Sequence, residues 1–126
     1  MGDFVAGDNV VLNKSAELSA KVVAFCKQLQ GERREYEMTR QLIRSVTSIG
    51  ANLSEANYAQ STADFISKLK IAEKEAGETG YWIKLMHNTG YLEDKLYYNF
   101  CDETGQIKRL LSAIITTAKS KQQNIP

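Results

Sequence analysis

The sequence has almost no proline, because its one proline, Pro126, is the last residue. Proline breaks helices, since it lacks an amide hydrogen and its ring clashes with the preceding turn. A chain of 126 residues with no internal proline, and with helix-period apolar residues throughout, is typical of an all-α protein. The length predicts one domain that covers residues 1–126.

Residues that bind metals or carry out catalysis are also scarce. The chain has one histidine, His87, and two cysteines, Cys26 and Cys101, so a structural zinc site would lack its fourth ligand. Di-metal helix bundles use Glu-x-x-His pairs, but Lys84 stands three residues before His87. No glycine-rich phosphate loop follows a strand. We therefore expect no enzymatic activity, no metal and no cofactor.

Long apolar runs are missing as well. No stretch approaches the ~20 residues that are needed to span a bilayer. The N-terminus lacks the basic region followed by an apolar one that marks a secretion signal. Two isolated cysteines suit buried free thiols in a reducing compartment. We expect a cytoplasmic protein that does not bind membranes.

What the sequence does contain is helical periodicity, in four segments. The predicted helices cover about residues 10–30, 36–59, 62–89 and 96–120, and residues 1–9 form a loose N-terminal arm. Gly31 and Gly90 are expected to cap the first and third helices at their C-termini. Ser61 with Asp64 resembles a capping box at the start of the third helix. Four helices with short connections favour an antiparallel up-down-up-down four-helix bundle.

The second predicted helix carries two different stripes. Its apolar stripe needs partner helices and consists of Met38, Leu42, Val46, Ile49, Leu53 and Ala56. A polar stripe follows the same steps on another face and consists of Arg44, Ser48, Asn52 and Glu55. This polar stripe either lies in solvent or recognises a partner, and residue chemistry alone leaves both interpretations open.

The net charge of +1 excludes a strong overall attraction to nucleic acid or membrane, but the basic residues are unevenly distributed. Four of the five arginines stand close together in the sequence: Arg33, Arg34, Arg40 and Arg44. After Glu103 the chain has no acidic residue, and its basic residues are Lys108, Arg109, Lys119 and Lys121. Arginine suits phosphate and carboxylate groups equally, so these residues form either a phosphate-facing patch or a solvated surface neutralised by nearby glutamates and the helix dipole.

The third predicted helix has a second, weaker apolar stripe beside its core stripe. Ile71, Trp82 and Leu85 lie on this flank, which we expect to contact another subunit; a wide single core face is the alternative. Gly50, Gly77 and Gly80 lie inside predicted helices, and Gly77 and Gly80 share one face of the third helix. Such glycines suggest a close approach of another backbone or a local irregularity.

Two ordered groups of residues resemble the signature of the four-helix-bundle proteins encoded in 23S rRNA intervening sequences. The first group is Gln41-Leu42-Ile43-Arg44 followed by Ser48-Ile49-Gly50-Ala51-Asn52-Leu53-Ser54-Glu55-Ala56. The second group is Asp64-Phe65, Leu69, Ile71-Ala72, Glu78, Tyr81-Trp82 and Gly90-Tyr91-Leu92. The resemblance extends from about Leu18 to Ala118 and is distinctive in combination rather than in any single part.

The resemblance implies a four-helix bundle that assembles as a homopentamer. The chain is also similar to the accessory variability protein of diversity-generating retroelements, a basic pentamer that binds nucleic acid and a reverse transcriptase. Arg44, Asn52, Glu55 and Glu78 match the polar positions of the family signature. Two features depart from it: Gly50 stands where the family often has proline, and this chain is nearly neutral.

Two functions follow as hypotheses. In the first, a non-enzymatic oligomer binds structured RNA, DNA or a ribonucleoprotein through Arg33, Arg34, Arg40, Arg44, Lys108 and Arg109. In the second, the protein is a scaffold for protein–protein interactions and has no nucleic-acid role. The charge balance favours the scaffold, whereas the resemblance favours nucleic-acid binding.

Overall fold

The structure, a computed structural model, describes residues 6–123, with side chains from residue 10 onward. It contains four helices: α1 (Ala6–Arg33), α2 (Glu37–Ala56), α3 (Thr62–Asn88) and α4 (Asp94–Gln123). Within this part of the chain there is no strand, so the fold is all-α. Each helix packs against its neighbour in the sequence and α1 also packs against α4, whereas the described Cα atoms of α1 and α3, and those of α2 and α4, stay more than 8 Å apart. The four helices therefore enclose one common core.

The ends of the helices differ from the prediction where local hydrogen bonding decides them. Helix α1 begins at Ala6, inside the predicted arm, whose residues 1–5 lie outside the described part of the chain. It also continues past Gly31, and Arg34 adopts the left-handed conformation (φ 57°) that ends it. The Arg34 amide donates to the Gln30 carbonyl at 3.1 Å. Gly31 is therefore not the cap, because the residue that takes the left-handed conformation is Arg34.

Carboxylates and a serine organise the starts of α2 and α3. Glu35 accepts hydrogen bonds from the amides of Glu37, Met38 and Thr39 at 2.9–3.1 Å, which suits the positive end of the helix dipole. The Ser61 hydroxyl accepts from the Asp64 amide at 3.0 Å, as predicted. In return, Asp64 Oδ2 accepts a hydrogen bond from the Gln60 amide at 3.3 Å instead of from that of Ser61. Helix α2 ends at Ala56, three residues before the predicted end.

Gly90 caps α3 as predicted, with φ 84° and an amide that donates to the His87 carbonyl at 3.1 Å. By contrast, no atom lies within 4 Å of a Cβ placed on Gly77 or Gly80, so the close approach considered for them is absent inside this chain. A close approach does occur at Gly50, where such a Cβ would lie 3.2 Å from the Ser15 hydroxyl. Gly50 therefore lets α1 and α2 pack tightly.

The core contains the apolar stripes that the periodicity defines. In α2, Met38 is half-buried and the other five members are fully buried: Leu42, Val46, Ile49, Leu53 and Ala56. Both cysteines are free thiols; Cys26 is buried, which raises the pKa of its thiol to about 12, and Cys101 is half-buried. No helix in residues 6–123 is long and apolar enough to cross a membrane.

Candidate interaction surface between α2 and α3

Arg44 is the centre of a polar network that joins α2 to α3. Its Nη1 lies 3.3 Å from Oε1 of Glu75, and its Nη2 bonds to Oε1 of Glu78. Its Nε donates to Oε1 of Gln41, one turn earlier in α2, at 3.3 Å. The guanidinium of Arg44 is therefore engaged by two carboxylates of the same chain, on the face where a phosphate was considered.

The ionisation of this network follows from its geometry. The hydrogen bond from Arg44 holds the pKa of Glu78 below its ordinary value, and the same bond raises the pKa of Arg44. Both groups are charged at neutral pH. The side chains of Arg44 and Glu78 keep 46% and 32% of their surface exposed, so solvent screens much of the attraction.

Trp82 connects the polar network to an open groove. Its Nε1 donates to Oε1 of Glu78 at 3.4 Å, and its half-buried ring contacts the Tyr81 ring edge-on at 5.0 Å between centroids. The groove has a volume of about 570 Å³, and we name it the Trp82 groove; its lining residues are Glu37, Met38, Arg40, Gln41, Trp82 and Leu85. It combines an indole ring, two aliphatic side chains and one exposed cation.

The structure brings together two of the three residues predicted at a subunit interface. Trp82 and Leu85 line the same groove, and both are half-buried. Ile71 lies eleven residues before Trp82, about 16 Å away along the helix axis, and keeps 38% of its surface exposed. Ile71 therefore belongs to the same side of α3 but not to the groove.

A buried hydrogen bond beneath the network sets the register of the two helices. The Thr79 hydroxyl lies 3.0 Å from the Ser45 hydroxyl and also donates to the Glu75 carbonyl at 2.8 Å. Both residues are fully buried between α2 and α3. The pairing of Thr79 with Ser45 was not predicted, because contacts between helices are not visible in one segment.

The remaining signature residues are also engaged within the chain. Asn52 donates to the Ser48 carbonyl at 2.8 Å, one turn back in α2. Glu55 pairs with Lys68 of α3 at 3.3 Å. The polar stripe of α2 therefore runs along the contact with α3, where Arg44 and Glu55 bridge the two helices.

The other arginines of the predicted cluster lie at one end of the molecule. Arg33 donates to the Gly90 carbonyl at 3.3 Å, and its guanidinium lies 4.4 Å from the centre of the Tyr91 ring. Arg40 lies 5.3 Å from the centre of the Tyr36 ring. Within residues 10–123 no carboxylate pairs with Arg33, Arg34 or Arg40. Among the predicted arginines of this cluster, Arg44 alone is neutralised by an ion pair there.

Lys108 and Arg109 lie on α4, whose backbone is not adjacent to that of α2. Both side chains are exposed. The predicted contact residues therefore occupy two separate surfaces and do not form one patch.

Elsewhere, the polar clusters join helices and do not form metal sites. His87 Nε2 lies 2.8 Å from Oδ1 of Asp94, and its ring stacks on Tyr97 at 3.8 Å, which ties α3 to α4. Lys21 pairs with Glu103 across the α1–α4 contact. The described residues contain no group of histidine, cysteine and carboxylate side chains that could hold a metal ion.

Comparison with known proteins identifies relatives over most of this chain. The family model described as "23S rRNA-intervening sequence protein" matches residues 7–113. A solved structure, of a protein with unknown function from the S23 ribosomal protein family of Bacteroides thetaiotaomicron, shares 46% sequence identity with this chain. The match covers 87% of this chain and 98% of that one, with a TM-score of 0.85. No curated protein matches.

Proposed function

This chain belongs to the family of 23S rRNA-intervening sequence proteins, and we propose that it is a non-enzymatic binding protein that acts as a homo-oligomer. In this proposal the four helices have up-down-up-down topology and five copies form a ring, as the resemblance implies. A ring needs two different surfaces that meet head to tail. The proposed function is to present a multivalent surface to a macromolecular partner in the cytoplasm.

The Trp82 groove is the observation that carries this proposal. Tryptophan is the residue most often found as an interface anchor, and here it lies beside the aliphatic side chains of Met38 and Leu85. Its indole nitrogen already has a hydrogen-bond partner in Glu78, so burying the rest of the ring leaves no polar atom unsatisfied. The groove therefore suits the apolar centre of an interface, with Arg40 and Glu37 at its polar rim.

The test is Trp82→Glu, with Tyr98→Glu as its matched control. Trp82→Glu places a second carboxylate beside Glu78 within the groove, so we expect the oligomer to dissociate into folded subunits. Tyr98 is a largely exposed aromatic residue of α4, outside the groove, so its substitution should leave the oligomer intact. Light scattering measures the mass, and circular dichroism checks the fold. Retention of the full oligomer by Trp82→Glu would remove the groove from the interface.

RNA binding is a second candidate function, which one observation favours. Arg34 and Arg40 are exposed and have no carboxylate partner within residues 10–123, and Arg40 lies at the rim of the Trp82 groove. Arg34→Gln with Arg40→Gln should then weaken RNA binding and reduce its salt dependence. Arg44→Gln should change RNA binding less, because Arg44 is occupied by Glu75 and Glu78. Absence of RNA binding by the wild type at low salt would favour a scaffold without a nucleic-acid role.

A further inference from the structure

The outward face of α3 carries a row of lysines. Lys70, Lys74 and Lys84 are exposed and lie within a strip about 80° wide on the helix, since successive residues are about 100° apart around its axis. The row is about 21 Å long at the helical rise. No acidic residue is among the exposed residues of α3. The exposed charges of this strip are therefore all positive, although the whole chain is nearly neutral.

Helix α4 adds two more lysines beside the row. Lys119 adjoins Lys70, and this contact lowers the pKa of Lys119, while half-buried Glu73 opposes the shift. Lys108 lies eleven residues before Lys119, which is close to three turns, so both are on the same side of α4. From Gln106 to Gln123 this helix has no acidic residue.

These lysines differ from the other cations that face neighbouring helices. Arg44, Lys68 and Lys21 each pair with a carboxylate of an adjacent helix. Within residues 10–123 no carboxylate forms an ion pair with any lysine of the row or with Lys108 or Lys119. Five cations on one face thus lack an anionic partner of their own.

We infer that the lysine row, together with Lys108 and Lys119, binds the phosphodiester backbone of a nucleic acid. This surface is separate from the Trp82 groove and from the arginines, so the inference goes beyond the proposed self-association. A row of this length matches a linear polyanion better than a single phosphate, which would meet one or two lysines. Lysine binds phosphate as a point charge and needs no fixed geometry.

Two further residues of the strip fit a nucleic acid strand. Tyr81 lies between Lys74 and Lys84, is 59% exposed and is braced by Trp82, so its ring is available for a base to stack on. Gly77 lies one turn before Tyr81, and the space above it is open, which permits a strand to approach the helix closely. A membrane surface fits less well, because helices that lie in the interface bury a continuous apolar face, and this strip carries three charged lysines in place of such a face.

Fluorescence anisotropy tests the inference, with labelled single-stranded RNA and DNA of about 20 nucleotides at about 50–200 mM salt. The test variant replaces Lys70, Lys74 and Lys84 by glutamine. The control replaces the three lysines of α1, Lys14, Lys21 and Lys27, and changes the net charge equally. We expect the α3 variant to bind about tenfold more weakly at ~100 mM salt and its log–log salt slope to fall by about 2.

The control should bind within about twofold of the wild type, and replacing the α3 lysines by arginine should preserve binding, because the charges remain. Equal losses in the two glutamine variants would overturn the inference, since net charge alone would then explain the binding. No binding by the wild type at low salt would overturn it too. Binding of the protein to phosphatidylserine vesicles, without binding to RNA or DNA, would also overturn the inference. The proposed self-association uses the Trp82 groove, which contains none of these lysines. The α3 variant should therefore keep the mass of the wild type in light scattering, so the two proposals can fail separately.

Discussion

The α2–α3 and α1–α4 contacts are both lined by charged side chains, yet they are built differently. Between α2 and α3, Arg44 is held by two carboxylates, and a buried hydrogen bond joins Thr79 to Ser45 beneath it. Between α1 and α4, Lys21 pairs with Glu103 over an open groove of about 670 Å³ whose lining contains no large apolar side chain. The Trp82 groove is lined by an indole ring and apolar side chains, whereas the groove between α1 and α4 is lined by polar side chains and one alanine.

Charged residues alone therefore do not identify an interaction surface in this protein. Paired cations occur at both contacts, and there they join helices of the same chain. What distinguishes the α2–α3 side is the apolar lining beside a polar network that is already satisfied. The outward face of α3 represents a third case, in which the lysines form no ion pair with a carboxylate of residues 10–123.

The largest expected effect is at Leu53, a fully buried residue of α2. Leu53→Ala should lower the free energy of unfolding by ~2–5 kcal/mol, because it leaves a cavity in the core. Tyr58→Ala, at an 82% exposed residue just after α2, should change it by less than ~0.5 kcal/mol. Urea unfolding followed by circular dichroism measures both. Similar values for the two variants would contradict the assigned core face of α2.

A smaller effect compares the two ion-paired contacts directly. Arg44→Met leaves Glu75 and Glu78 facing each other without their cation, so it should cost ~1 kcal/mol after solvent screening. Lys21→Met removes one exposed pair and should cost less than ~0.5 kcal/mol. The same unfolding experiment applies, with salt added to weaken both effects. A larger loss for Lys21→Met would reverse the order of the two contacts.

The smallest effect is the pH dependence of the α2–α3 contact. Because Arg44 holds the pKa of folded Glu78 below its ordinary value of 4.5, the unfolded chain takes up this proton first as the pH falls. The stabilisation is therefore present above pH 4.5 and is lost as the pH falls through the lower pKa of the folded state. Thermal unfolding against pH should show a shallower acid slope for Glu78→Gln. In an Arg44→Met background the difference between the two slopes should become smaller, because the hydrogen bond from Arg44 is the largest cause that lowers this pKa. An undiminished difference would mean that another donor, such as Trp82, is the main cause.

Much of the fold could be predicted because the information is local to each segment. Leu42, Val46, Ile49 and Leu53 recur at helical steps, and all four are fully buried. The helix ends were less predictable, since they depend on which residue accepts an unusual backbone conformation. Glycine at 31 suggested a cap, but Arg34 adopts the left-handed conformation three residues later.

The candidate site depends on how two helices are placed against each other, so the sequence contained only half of it. Helical spacing put Arg44 on the polar stripe of α2, and the resemblance to the family named Glu78 as a polar signature position. Their pairing depends on the register that Thr79 and Ser45 set between α2 and α3. The lysine row could be identified only from the structure, because the buried residues of α3 determine which of its lysines face outward.

The claim that this protein acts as a homo-oligomer is tested most directly by the molar mass of the wild-type chain in solution. Light scattering at micromolar concentration measures it without any substitution. The account predicts five times the subunit mass of 14.1 kDa, about 70 kDa, across a range of dilution. A mass of 14.1 kDa at every concentration would contradict it, because the Trp82 groove would then face solvent in the working protein.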